Sequence, residues 1–374
     1  MTGFPVSHAE ILQKLEDFEP EQYARTRNYL DGGVSRLSPY ISRGVLSLPF
    51  IFQRLVERHG FDPASKFIYE LAWREFFQRV WANIGDEIFQ DIKQGQLPVR
   101  GAGVPESILS GHTGIQELDR AIRTLYDTGY MHNHARLWIA SVHCNIARRH
   151  WRSGANWMYY HLLDGDPASN SLGWQWVAGT FSHRKYLANQ ESINRYAARE
   201  EDRPTQSKTF LDHPYEKLGE LAVPYVLTSA VEPDLPCELP ARVAPRVALG
   251  STALLYHPFH LDPNWHPDEN ATRILVLDPK WFARFPVSPR VLEWILSLAR
   301  GIPDLQIFAG DPRDLDLSVA SDVRYRIHPC ARRFPGTGEA APRLVPEIPD
   351  DEVGETFSPF WKRCEKILRK RASS

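Results

Sequence analysis

The stretch from Met131 to Trp176, MHNHARLWIASVHCNIARRHWRSGANWMYYHLLDGDPASNSLGWQW, constrains the fold of this chain more than any other. It begins in a helical pattern, because Asn133, Arg136, Leu137 and Ala140 fall at i, i+3, i+4 and i+7 and share one face. An amide and a guanidinium among apolar neighbours are costly unless they are paired or bind something. Asp164-Gly165-Asp166 then makes a turn between two aromatic-rich segments, and Asp164 is a candidate partner for Arg136. Trp174-Gln175-Trp176 closes the stretch. One cluster therefore offers an amide, a guanidinium, two carboxylates and several indoles.

The chain around this stretch divides by pattern. Residues 1–205 read as mostly helical, with helices expected over 47–59, 63–84, 115–127, 131–152, 156–163 and 186–200. Residues 206–247 are rich in Pro and charge and read as an extended connector, draped over the helical part. From 248 to 347, STALLYHP, RILVLDP, LQIFAGD and VRYRIHP are short apolar runs ended by turn residues. An amphipathic helix over 288–300, capped by Ser288, separates the second run from the third. Alternating strand and helix predicts a small parallel α/β layer. Residues 348–374 read as a basic amphipathic C-terminal helix, either solvated or meeting phosphate through Lys362, Arg363, Lys366, Arg369, Lys370 and Arg371. The fold class expected is mostly α, a helical domain followed by a small α/β domain.

Charge and cysteine usage narrow the function. A net charge of −2 leaves no strongly basic footprint, so any nucleic-acid contact has to come from a local patch. Cys144, Cys237, Cys330 and Cys364 have no CxxC spacing, and no metal site is expected. The N-terminal MTGFPVSHAEILQKLEDF carries acids and no long apolar core, so no signal peptide is expected, nor a membrane span. A cytoplasmic monomer is the expectation. The 11 Trp serve equally as helical core or as stacking and electron-transfer groups.

MHN-x-x-R, LLDGDPASN and GWQW closely resemble the flavin-binding region of the DNA photolyase/cryptochrome family. VSRLSPYISRGVLS, Val34 to Ser47, resembles its phosphate-binding loop, and YELAWREFF, Tyr69 to Phe77, its substrate-facing helix. The resemblance covers roughly residues 20 to 180. It implies a helical photolyase-type domain that binds FAD, but without the family's N-terminal α/β domain.

The residues follow motif by motif. Phe67, Glu70, Trp73, Arg74 and Phe77 share a helix face, which on its own also suits an internal ion pair. The resemblance places Glu70, Trp73 and Phe77 against the DNA lesion and Phe67 and Arg74 against the flavin. Val34, Ser35, Arg36, Leu37 and Ser38 precede a helix start, which suits either an ordinary cap or an anion site. In the resembled family this loop cradles the FAD pyrophosphate, although Val34 stands where Thr is usual. Tyr23 resembles a Tyr that meets the flavin phosphates. Asn133 matches a lesion-contacting Asn, and His134 beside it is expected to face DNA. Arg136 and Asp164, with Gly165, match the ion pair beside the isoalloxazine, Asp166 a second acid there, and Asn170 the Asn near flavin N5. Trp174 and Trp151 match the inner two members of the chain that reduces excited flavin. Where the outermost normally lies, near Gln96 to Arg100, there is no Trp; Trp138, Trp157 or a Tyr would have to replace it. Trp176 matches the indole that stacks on the flipped lesion.

The resemblance implies a photolyase in which light-excited FADH⁻ gives one electron to a cyclobutane pyrimidine dimer flipped out of DNA, with Glu70, Asn133, Trp73 and Trp176 around the lesion. The stretch after GTF departs from the family, so the rim is expected to be rebuilt, with Arg148, Arg149, Arg152, Arg184 and Lys185 as phosphate contacts or solvated surface. A reduced rim would favour single-stranded DNA, where flipping costs less. Two other readings stand beside this one: a cryptochrome-like light sensor without repair, and a non-catalytic nucleic-acid-binding module.

Overall fold

Apolar periodicity punctuated by caps and glycines sets out the helices of the first half. A computed structural model describes residues 3–197, 205–354 and 356–373. The helices that matter here are α1 (His8–Glu16), α2 (Pro20–Thr26), α3 (Ser38–Ser42), α4 (Leu48–His59) and α5 (Phe61–Ile84), followed by α6 (Gln116–Thr128), α7 (Asn133–Ser141), α8 (Trp151–His161), α9 (Pro167–Ala178) and α10 (Gln190–Ala197). Ser47 Oγ accepts from Phe50 N at 3.3 Å to start α4. The long α5 lies between Gly60 (φ 78°) and Gly85 (φ 58°), left-handed positions that other residues rarely adopt. The expected helix over 186–200 is α10; residues 198–200 lie outside the described residues.

The single helix expected over 131–152 is two. After α7 the chain makes a π turn over Val142–Ile146, reverses at Arg148 (φ 55°), and starts α8 at Trp151, where His150 Nδ1 accepts from Arg152 N at 3.3 Å. No Gly or Pro marks the break. Tertiary bonds hold it: Asn145 donates to Val177 O (3.0 Å) and Tyr186 O (2.8 Å), and the His143 ring bonds His150 O (3.0 Å). The α8 helix accordingly begins five residues before the 156–163 segment expected.

The second half carries β1 (Thr252–Tyr256), β2 (Ala271–Leu277), β3 (Gln306–Ala309), β4 (Asp322–Arg326) and β5 (Thr337–Glu339). All pair in parallel, in the order β3-β2-β1-β4-β5, with Leu255 opposite Ile274 on one side and Tyr325 on the other. Every residue of β1 is buried, as a continuous apolar run in a covered parallel sheet requires. Helix α11 (Pro289–Ala299) follows β2, with Ser288 Oγ accepting from Val291 N at 3.3 Å. The expected helical chain with a small α/β layer is therefore what is found.

The carboxyl end of β1 meets the helical half. Leu261 N donates to Arg43 O at 2.9 Å, and the buried Arg43 guanidinium lies 5.3 Å from the Phe259 ring centre. The connector is tied to the helices through Arg149 to Thr228 O (2.7 Å) and Tyr160 to Pro236 O (2.8 Å). Helix α12 (Phe357–Ala372) buries Phe357, Phe360, Cys364 and Leu368 against α4 and α5. Its arginines are held by carboxylates: Arg363 by Glu352 (2.6 Å), Arg369 by Asp62 (2.5 Å) and Arg371 by Glu347. Just upstream, the fully buried Arg79–Glu75 pair (2.8 Å) bonds the backbone of Leu344, Val345 and Ile348. One apolar core runs from Ile11 through Leu254 and Leu275 to Leu368, and a second lies under α6–α9. Among the described residues no helix is long and apolar enough to cross a membrane.

Candidate functional site

Residues of α2, α5, α7 and α9 line a cavity of about 440 Å³, and Val34, Ser35, Arg36 and Ser38 add to its wall. Three and four residue steps put Phe67, Glu70, Trp73, Arg74 and Phe77 of α5 on its wall. Asn133 and Arg136 reach it from α7, and Asp164, Gly165, Asp166, Asn170, Trp174 and Trp176 from the turn and helix that follow α8.

Charges are fixed deep in this cavity. Arg136 Nη2 bonds both Asp164 oxygens at 2.9 and 3.0 Å, and its Nε donates to Met131 O at 2.9 Å. Asp166 is 2% exposed. Its Oδ1 caps α9 through Ser169 N and accepts from Gln78 Nε2, each at 2.7 Å, and its Oδ2 lies 3.5 Å from Arg74. Asn170 Nδ2 donates to Ala155 O at 2.9 Å, which sets its amide in the wall. Burial, and then the Glu70 charge, push the Tyr23 hydroxyl pKa up. Burial and then His134 lower His132 to about 4, so a neutral imidazole faces the cavity at neutral pH.

The mouth is built differently. Asn133 is exposed, and Trp176 is 36% exposed. Glu70 is held by Arg27 at 3.1 Å and Lys66 at 3.4 Å. The Trp73 indole lines the cavity while Phe357 of α12 stacks on it, with ring centres 3.7 Å apart and planes at 14°.

Most of the residues expected at the site meet here, and three do not line it. Leu37 is fully buried in the core, its amide donating to Ser35 Oγ at 3.2 Å. His134, expected to face DNA, is turned away: its Nδ1 bonds Asn28 O at 2.7 Å and its ring packs on Trp138 and Tyr196. Trp151 lies behind the wall. Of the expected phosphate contacts, Arg148, Arg149, Arg152 and Lys185 hold the carbonyls of Leu221, Thr228, Phe89 and Leu97, while Arg184 is exposed.

Arg27, Gln78, Tyr130, Ser169 and Phe357 escaped the sequence reading. Gln78 lies four residues after Arg74, so its face was readable; Phe357 lies so far along the chain that no local pattern points to it.

The cavity fits a large dinucleotide flavin in several ways. Ser169 Oγ is buried without a partner among the described residues. Gly173 has open space where a Cβ would stand, and it lines the cavity. Arg36, at φ 52°, lies 5.7 Å from the Tyr130 ring centre and makes no ion pair among the described residues. Beside it, Ser35 and Ser38 offer hydroxyls to an anion. Elsewhere His257, His328 and Cys330 come together, their ligand atoms within 4.8 Å. Both His257 nitrogens are already bonded, to Phe259 N and Arg326 O at 3.2 Å each, and His328 Nδ1 accepts from Cys330 N at 3.1 Å. That cluster satisfies the backbone at a sheet end.

Residues 67–203 match the family described as the FAD binding domain of DNA photolyase. A deoxyribodipyrimidine photo-lyase of Streptomyces griseus is 38% identical over 147 residues, 39% of this chain and 32% of that protein. Cryptochrome DASH of Synechocystis is 34% identical over 182 residues, 45% of this chain and 37% of that one. Among solved structures, a Synechocystis cryptochrome shares 29% identity at a TM-score of 0.46, covering 52% of this chain and 44% of its own. The chain spans about a third of the length of these two curated relatives.

Proposed function

We propose that this protein is a light-dependent flavoprotein that repairs cyclobutane pyrimidine dimers in DNA, a reading supported by the match of residues 67–203 to the FAD binding domain of DNA photolyase. One observation carries the reading: a single cavity holds fixed charges in its depth and a carboxylate, an amide and two indoles towards its mouth. Arg136, Asp164, Asp166, Asn170 and Arg74 would hold the isoalloxazine end of FAD, and Ser35, Arg36 and Ser38 its phosphates. When bound, reduced and excited by light, the flavin supplies the electron that splits the dimer.

The chain's own residues do the rest. Asp164 neutralises Arg136 and fixes its plane, so the pair presents donors in a set orientation. Glu70, paired with Arg27 and Lys66, accepts a hydrogen bond from a base N–H. Asn133 donates its amide to a base carbonyl, where negative charge grows as the dimer takes up an electron. Trp73 and Trp176 form apolar walls that exclude water and stack on the flipped bases. Four of the five rim cations are spent on backbone carbonyls, which favours single-stranded DNA, already unstacked.

The test is loss of thymine dimers from single- and double-stranded oligonucleotides in light, with the flavin reduced beforehand and a dark control. Loss in light alone, faster on single strands, is expected. Intact dimers with flavin bound and reduced would overturn repair and leave a light sensor, the reading that the likeness to a cryptochrome supports.

A further inference from the structure

We infer that Asp91 is the proton acceptor that ends an electron-transfer chain at Trp151, taking the indole proton when Trp151 is oxidised. The inference rests on the flavin reading above and on Trp174 and Trp151 as successive electron donors.

At this end point a buried indole meets a partly exposed carboxylate. Trp151 is 1% exposed, and its indole N–H donates to Asp91 Oδ1 at 2.7 Å. The other oxygen of Asp91 accepts from Gln96 N at 2.9 Å, and His150 Nε2 lies 3.4 Å from Oδ1. Gln96 also takes the backbone N–H of Trp151 on its Oε1 at 2.8 Å and donates to Arg149 O at 2.8 Å. One glutamine thus holds the acid and the indole in register, in the stretch where the resembled family carries its outermost Trp and this chain has none. On the inner side, Trp174 lines the cavity and rests on Gly154, where an added Cβ would stand 2.5 Å from its ring. Gly154 is three residues after Trp151, so Trp174 sits over the helix face that carries Trp151.

Outward the chain stops. Among the described residues the aromatic ring in contact with Trp151 is that of His150, with centres 5.7 Å apart, and an imidazole is a poorer electron donor than an indole. Trp138 packs on His134, and Trp157 donates to Tyr126 at 3.0 Å. The indole N–H bond to Asp91 is the proton exit open at Trp151.

The balance is one electron and one proton. Trp174 gives one electron to a photoexcited oxidised flavin, the oxidant by class, and is refilled by one electron from Trp151. Oxidation makes the indole N–H far more acidic than in the neutral ring, and a carboxylate oxygen is already hydrogen-bonded to it. That N–H bond breaks, the bonding pair stays on nitrogen, and the proton moves to Asp91 Oδ1. Trp151 is left a neutral radical and Asp91 a carboxylic acid. Return of the electron then also requires return of the proton, which slows recombination.

The experiment is transient absorption of the flavin-loaded, oxidised protein after a light pulse, in H₂O and D₂O. The wild type is expected to show a neutral tryptophanyl radical, formed more slowly in D₂O. Asp91→Asn is expected to show the radical cation, with recombination at least tenfold faster, while Asp91→Glu restores the neutral radical. Flavin content and unfolding midpoint of each variant report folding separately. A neutral radical of unchanged rate in D91N overturns the role of Asp91 while leaving the donor chain standing. A long-lived neutral radical that survives Trp151→Phe, or no tryptophan radical in the wild type, overturns the donor chain and this inference with it.

Discussion

The Arg136–Asp164 pair shows what a single residue's chemistry reveals in sequence. Both charges sit among apolar neighbours, and such a charge needs a partner, so the pairing is legible from the order of residues alone. The guanidinium keeps some solvent contact, so Asp164→Asn should cost less than a fully buried pair, about 1–3 kcal/mol. The urea midpoint should fall accordingly, and flavin retained through purification should drop at least tenfold. A variant with unchanged flavin content would remove Asp164 from the cofactor site. Arg27 was not legible, because its approach to Glu70 depends on how α2 packs on α5. Nor could adjacency to Asn133 tell that His134 turns the other way, since neighbouring residues on a helix face different directions.

Elements were legible where one local rule dominated and hidden where a distant bond decided. The α5 helix is bounded by two glycines and carries its site residues at helical spacing, so its reading needed no tertiary knowledge. The break between α7 and α8 has no such signal, because it is held by bonds from Asn145 and His143 to backbone carbonyls elsewhere. Helix α12 was legible as amphipathic, but its apolar stripe does not name what it covers. What it covers includes Trp73. Phe357→Ala should remove the ring stacked on that indole and open a cavity, at a cost of about 3–5 kcal/mol. Phe357→Leu should cost less and should weaken binding of dimer-containing single strands at constant flavin content. An unfolding midpoint unmoved by the alanine variant would show α12 detached from the wall in solution. Glu75→Gln tests the staple upstream: it leaves the buried Arg79 charge half-compensated and should cost about 3–5 kcal/mol in chemical unfolding.

At the scale of the molecule, sequence pattern separated helical, connecting and α/β stretches, but the core does not follow that division. The apolar interior is shared by α1, α5, β1, β2 and α12, because no one of these stretches buries its own faces. Histidines held away from water are spread through both halves of the chain. Burial lowers His132, His143 and His161 to about 4 and His328 to about 3, and pushes His257 and His260 well below the ordinary range. These groups stay neutral in the fold, while an unfolded chain protonates them below about pH 6.5. Their contribution to stability is therefore full above pH 6.5 and is lost as pH falls through the window down to about 4. Unfolding between pH 6 and 5 should take up about five protons on these six groups. Urea midpoints at pH 7.5, 6 and 5 measure this directly. Because α1, α5 and α12 share one core with β1 and β2, helical and α/β signals should fall together in one transition that moves to lower urea with each step. A midpoint constant from pH 7.5 to 5 would mean that these imidazoles reach water in the folded state, and two separate transitions would mean that the shared core does not couple the halves.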